Sequence, residues 1–221
     1  RDRIGLVDAI PDGRYERCLP FIDATPFGSP RGASASNRLI TVAMLRRGDK
    51  FDSYVMLAEA LKLIRDHDWT LTVIGDGPMR AEVTALFSAF DGDRITWLGE
   101  RSTPEIAAEL ATAGIYVWPG CNEAYGLAYL EAQAAGLPVV AQATAGVPEV
   151  VMDGITGLLT PAGDLKAYAD AIAQLLNDEE QRRIMAEAAH GFVHRERSLS
   201  AAAKRLEIIL RKHLGDTYYE R

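Results

Sequence analysis

Cysteine is scarce in this chain: Cys18 and Cys121 are the only two among 221 residues. Two thiols cannot build a disulfide framework or a cysteine zinc site, so a reduced, cytosolic compartment is the expectation. No run of about 18 consecutive apolar residues occurs, which leaves no candidate for a membrane-spanning helix. No signal-peptide pattern opens the chain. It begins at Arg1 without Met, so an upstream region is expected. The four histidines show no metal spacing. His190 and His194 are four apart, but Gly191 and the charged surroundings make them read as a solvated helix end. Positive charge is in deficit, with 24 Lys+Arg against 31 Asp+Glu and a net charge of −7. That excludes a general nucleic-acid binder and leaves room only for a local basic pocket. Solenoid repeats and low-complexity tracts are also absent.

What is present is a hydrophobic content of 48%, enough for a sizeable core, and a repeated alternation of short apolar runs with helical patterns. Residues 1–38 read as an irregular linker, rich in Pro, Gly, Ser and Ala over "LPFIDATPFGSPRGASASNR". From Leu39 onward "LITVAML", "WTLTVIG", "RITWLG", "IYVWPG", "PVVAQ" and "TGLLT" read as strands. Between them lie "FDSYVMLAEALKLIRDH", with Asp52 or Ser53 as cap, and "PMRAEVTALFSAF", with Pro78 near its first turn. "TPEIAAELATAG", capped by Thr103, and "GLAYLEAQAAG" follow as helices. "VPEVVMDG" reads as one or two helical turns. From Asp164 the chain is helical to its end. Strands alternating with helices of 10 to 15 residues predict a Rossmann-like α/β domain over 39–221. Its doubly wound parallel sheet has about six strands, with helices on both faces and C-terminal helices.

Ligands in such sheets bind outside the carboxyl ends of the strands. The loops there are "RRGDK", "GDGP", "GERS", "PGCNEAYG" and "ATAGVPE". The fourth leads into "NEAYGLAYLEAQAAGLPVV", where two glutamates stand eight apart in a stretch otherwise suited to burial. Gly126 starts a helix whose free N–H groups and dipole suit a phosphate. Glu131 lies about one and a half turns on, and helical side chains lean toward the N-terminus, so its carboxylate can reach the same pocket. There it is placed to accept hydrogen bonds from ribose hydroxyls. Glu123 faces the pocket from the strand side, suited to sugar hydroxyls or to positive charge developing on a carbon. Lys50, Arg46 and Arg47 crowd the first strand's end and can clamp a leaving diphosphate. Asp76 in "GDGP" and Tyr125 in "PGCNEAYG" complete the loop candidates for substrate contact. "GDGP" itself has two glycines and no P-loop lysine. "DGD" at Asp91–Asp93 precedes a strand on the far edge and reads as a turn.

At these residues the sequence resembles the C-terminal domain of GT-B fold, family 4 retaining glycosyltransferases, from about Leu39 to the C-terminus. "EAYGLAYLEAQAAGLPVV" looks like that family's Glu-x7-Glu signature and the Gly-x-Pro-Val-Val strand after it. "VIGDGP", "WLGERS" and "GVPEVVMDGITGLLTPAGD" agree in order and spacing, and "CLPFIDATPF" looks like the link after the family's N-terminal domain. The resemblance implies that Glu131 binds the ribose of a UDP-, GDP- or ADP-sugar and that Glu123 contacts the donor sugar. It also implies that backbone at Gly126 and Leu127 meets the diphosphate, that Lys50 binds phosphate, and that backbone near Arg101 meets the base. No cofactor or bound metal is implied. Met44 stands where the family usually has an arginine, and Arg46 or Arg47 is then the substitute charge. The chain has room only for the second of two GT-B domains. Its partners are accordingly a nucleotide sugar and its own missing N-terminal domain. Acceptor choice and any peripheral membrane contact belong to that domain, and the chain alone is expected to be inactive.

Three rival functions follow from the same pattern. An NAD-dependent oxidoreductase would need G-x-G-x-x-G after the first strand, and "AMLRRGDKF" has one glycine. A degenerate, non-catalytic nucleotide-sugar-binding module is favoured by Met44. An epimerase of the same fold has no use for the glutamate pair. The last helix carries Ala202, Leu206, Ile209 and Leu210 in one stripe, expected to be incompletely covered when the N-terminal domain is absent.

Overall fold

The computed structural model describes Glu16, residues 18–28 and residues 37–214. Most of the segment expected to be a linker therefore lies outside the described residues. Six strands form one sheet: β1 (Arg38–Val42), β2 (Thr70–Ile74), β3 (Ile95–Gly99), β4 (Ile115–Val117), β5 (Val139–Gln142) and β6 (Gly157–Thr160). Their order is β3-β2-β1-β4-β5-β6, and every pairing is parallel. All residues of β4 and β5 are buried, as a sheet covered on both faces requires.

Helices α1 (Asp49–Leu63), α2 (Arg80–Leu86), α3 (Thr103–Leu110) and α4 (Leu127–Ala134) follow the first four strands in turn. A 3₁₀ turn, Val147–Glu149, follows β5. After β6 come α5 (Leu165–Asn177), α6 (Glu179–Phe192), a five-residue π segment (Val193–Arg197) and α7 (Leu199–Leu214). This is the doubly wound, Rossmann-like α/β fold that the alternation predicts. Helix α1 packs on α2 and α5, and α4 packs on α6. Right-handed crossovers carry the chain from β1 to β2 over one face and from β4 to β5 over the other. The crevice between β1 and β4 is therefore left open at their carboxyl ends.

Two helix starts differ from the sequence reading. Helix α1 begins at Asp49 behind Gly48, without a side-chain cap. Ser53 thus lies a full turn inside it and is free for another role. Helix α3 is capped by Ser102 rather than Thr103, because Glu105 closes a capping box onto Ser102. The histidine pair also differs. His190 and His194 are half-buried, their rings 4.1 Å apart. Both face the carbonyl of Ala134, at 2.8 and 3.3 Å. Burial lowers the His190 pKa, and the nearby His194 lowers it further against the opposing pull of that carbonyl. They cover the C-terminal end of α4 instead of facing solvent.

The Ile22 N–H donates to the Arg197 carbonyl at 2.9 Å, and Ile22, Ala24 and Phe27 are buried. Residues 22–27 are thereby fastened against the π segment. On α7, Leu206 stays 50% exposed, while Ala202, Ile209 and Leu210 are half-buried. The apolar stripe is incompletely covered. Glu16 pairs with Arg205 and Lys212, so part of the upstream segment lies along this helix.

The "GDGP" loop is built for close backbone contact. The Leu45 N–H donates to the Asp76 carbonyl and the Met79 N–H to the Leu45 carbonyl, at 3.0 and 2.9 Å. A Cβ on Gly77 would lie 2.3 Å from that Leu45 oxygen. Gly77→Ala must push the two loops apart, and such overpacking costs about 1–3 kcal/mol. The expected outcome is a melting temperature several degrees lower, measured by calorimetry. An unchanged melting temperature would show that the loops are not fastened in this way.

Candidate functional site

The site forms where β1 and β4 end side by side. Beyond β1 the chain makes the turn at Arg47–Gly48 and enters α1, whose second residue is Lys50. Beyond β4 it runs from Trp118 to Gly126 and enters α4, which carries Glu131. The second loop is fixed at several points. The Ser53 hydroxyl donates to the Asp49 carbonyl (2.7 Å) and accepts the Cys121 N–H (2.9 Å). The Asn122 amide donates to the Asp49 carboxylate (3.1 Å), and the Thr144 hydroxyl donates to the Gly120 carbonyl (2.8 Å). Among the described residues, the non-glycine positions with positive φ are Asn122 and Ala145, at 52° and 41°. Both lie in the loops around this crevice, where strained backbone commonly marks a functional site.

These contacts bring Lys50 and Glu123 together. The Lys50 ammonium forms an ion pair with the Glu123 carboxylate, and each side chain is only 18% exposed. The same ammonium lies 5.4 Å from the centre of the Trp118 ring. Gly126 opens α4 in a left-handed conformation with φ 71°, and no side chain caps the helix. A Cβ there would lie 2.5 Å from the Tyr129 ring. Glycine is thus required by both space and φ, and it leaves the first amides of α4 open to a ligand. Tyr129 is buried, and its hydroxyl donates to the Trp118 carbonyl at 3.1 Å. It stands edge-on to Tyr116, whose hydroxyl bonds back to Val42 at the end of β1. This tyrosine pair forms the floor of the crevice.

Glu131 is half-buried, and its carboxylate has no hydrogen-bond or ion-pair partner among the described residues. Burial raises its pKa above the ordinary carboxyl value. Its charge also helps to raise the pKa of the buried Tyr116 phenol.

The remaining candidates lie on the surrounding loops. Arg46 and Arg47 are exposed and have no partner among the described residues, and Met44 beside them is 55% exposed. Tyr125 and Leu127 are exposed at the rim. Asp76 is bound within its own loop, accepting the Gly77 N–H (2.7 Å) and pairing with Arg80 (2.9 Å). Arg101 donates to the Glu100 carbonyl at 3.0 Å. Asn122, Tyr116, Tyr129 and Trp118 support the site without having been singled out from the sequence, and Ser53, read there only as a cap, supports it too. Their roles depend on contacts across the crevice, which no local spacing reveals. The described residues contain no group of three or more His, Cys, Asp or Glu able to hold a metal ion. No described helix is long and apolar enough to cross a membrane.

Residues 36–178 match the family model described as glycosyl transferases group 1. The chain belongs to this glycosyltransferase family. Among curated relatives, the D-inositol 3-phosphate glycosyltransferase of Corynebacterium glutamicum (strain R) is 35% identical over 211 residues. That covers 91% of this chain and 49% of the relative. The N-acetyl-alpha-D-glucosaminyl L-malate synthase of Bacillus anthracis is 32% identical over 174 residues, covering 78% and 45%. The chain therefore spans about half the length of these relatives. Solved glycosyltransferase structures share its fold. S. aureus TarM superposes with a TM-score of 0.78 at 16% identity, covering 94% of this chain and 41% of TarM. Anabaena HepE, solved with UDP and glucose, gives 0.71 at 18% identity over 86% and 55%. The Rossmann-like sheet is that of the GT-B glycosyltransferases.

The state of Glu131 leads to a pH prediction. Its raised folded pKa means that the folded state holds the proton more tightly than the unfolded chain does. The corresponding stability is complete below the ordinary carboxyl range and is lost as pH rises through the folded pKa. Glu131→Gln removes the buried anion, so it should raise the melting temperature at neutral pH, by about 2–4 °C for each ~1 kcal/mol recovered. The gain should shrink toward zero in mild acid. Thermal melts of both proteins across this range check it, and a gain independent of pH would contradict it.

Proposed function

We propose that this chain is the donor-binding half of a retaining glycosyltransferase that uses a nucleoside diphosphate sugar. The observation that carries the reading is Glu131, a half-buried carboxylate with no partner among the described residues, on the helix whose uncapped N-terminus opens into the same crevice. A buried charge without a partner is costly, and a ligand that supplies hydrogen bonds would relieve it. Ribose hydroxyls supply such bonds. The diphosphate meets the first amides of α4 at Leu127 and the ammonium of Lys50, with Arg46 and Arg47 adding positive charge. The donor sugar lies against Glu123, and the base extends toward the Asp76 and Arg101 loops. HepE, which shares this fold, was solved with UDP and glucose, and the signature resembled by "EAYGLAYLE" belongs to retaining enzymes. The relatives are about twice this length, so acceptor binding is assigned to a further domain and the 221-residue chain alone should transfer no sugar. Met44, exposed beside the crevice where an arginine is usual, favours a second reading in which the chain binds the donor without catalysis.

Calorimetry with UDP, GDP, ADP and their sugars identifies the donor. Losing a charged hydrogen-bond partner costs about 1.5–3 kcal/mol. Glu131→Ala should therefore weaken binding of the preferred nucleoside diphosphate by about tenfold or more. Unchanged affinity in a folded variant would remove the ribose role. In a full-length enzyme, Lys50→Ala should lower turnover more than ground-state affinity, because charge on the leaving group grows in the transition state. An equal effect from Lys166→Ala, on the exposed face of α5, or full turnover by Lys50→Ala would count against the leaving-group role, and a full-length wild type that binds the donor but transfers no sugar would leave the non-catalytic reading standing.

A further inference from the structure

The Lys50–Glu123 pair lies in the path of the ligand. It is not a loose surface contact. Lys50 is fixed in the first turn of α1 and lies over Trp118. Glu123 is fixed in a loop tied down through Ser53, Asn122 and Thr144. Both side chains are more than four-fifths buried and face each other. A diphosphate that takes the Lys50 ammonium must compete with the Glu123 carboxylate for it. Its own negative charge is also brought near that carboxylate, and like charges at short range repel strongly where solvent is excluded.

The outcome of this competition depends on what the diphosphate carries. A sugar presents hydroxyl groups that donate to Glu123 and replace the hydrogen bonds it made to Lys50. A bare nucleoside diphosphate occupies Lys50 but gives Glu123 nothing, leaving a largely buried carboxylate unpaired beside phosphate. Unpaired buried charge is strongly unfavourable. We propose that the Lys50–Glu123 pair discriminates between intact donor and spent nucleotide. The two side chains separate when a nucleoside diphosphate sugar binds. They re-form their pair once the sugar has left, which speeds release of the nucleoside diphosphate. Glu123 is here a specificity-determining residue that acts against binding of the product. This inference rests on the donor-binding reading above.

The test is calorimetry on the 221-residue chain with UDP, GDP, ADP and inorganic pyrophosphate, for wild type, Glu123→Gln, Glu123→Ala and the Lys50→Ala, Glu123→Gln double variant. Removing the competing anion frees Lys50, so both single variants should bind pyrophosphate and the preferred nucleoside diphosphate about tenfold more tightly than wild type. The double variant should lose that gain. The corresponding nucleotide sugar should show no such gain in Glu123→Gln. Melting curves establish that each variant is folded, and the alanine variant provides the measurement if the glutamine variant is not. Nucleotide binding by wild type, with equal or weaker binding in both single variants, would overturn the discrimination and leave the donor-binding reading intact. If wild type bound none of the nucleotides and no pyrophosphate, both would fall.

Discussion

β1 and β4 share a parallel register, with Leu39 beside Ile115 and Ile40 beside Tyr116, yet the chain leaves them over opposite faces of the sheet. This divergence is the constraint on which the site depends. It clears the space above the two carboxyl ends and points the N-termini of α1 and α4 into it. Lys50 and Glu131 stand within the opening turns of those helices, and Glu123 stands in the loop between β4 and α4. Residues 73 positions apart in sequence therefore meet as one ion pair. The floor is set by the same pairing, because the Tyr116 hydroxyl reaches from β4 to the backbone at Val42.

The electrostatics of the crevice differ from those of the exposed ion pairs elsewhere on the surface. Elsewhere many charges pair at helical spacing, as Arg183 does with Glu180 and Glu187, or Lys166 with Asp170. Such exposed pairs contribute little and define little. In the crevice one carboxylate is half-buried without a partner, one ion pair is largely shielded from water, and two arginines stand exposed without partners among the described residues. A protein selected only for stability would remove these features. The proposed exchange of internal contacts for those of a charged, hydroxyl-rich ligand gives the buried ones a role. The surrounding loop is held in place through Ser53, Asn122 and Thr144.

The fold was legible because its signals are local. Apolar runs, capping residues and the spacing of helical stripes predict all six strands and the main helices, with ends shifted by a few residues. The positions of Lys50, Glu123 and Glu131 at strand ends followed from the rule that such sheets bind ligands there. What the sequence did not disclose depends on contacts across the sheet. Ser53 reads as a cap because only the structure shows α1 starting four residues earlier. His190 and His194 read as solvated because their partner, the Ala134 carbonyl, is more than fifty residues away. Asp76 reads as a pocket residue, and the structure adds that Arg80 and the Gly77 amide already engage it.

The central claim, that α4 and the β1 exit together receive a nucleoside diphosphate, is tested most directly by amide chemical-shift mapping of the labelled chain during titration with the preferred nucleotide. The expected result is a set of large perturbations at Gly126, Leu127 and Ala128, with further ones at Lys50, Glu123 and Glu131. Perturbations concentrated elsewhere, for example around His190 and His194 at the opposite end of α4, would contradict it.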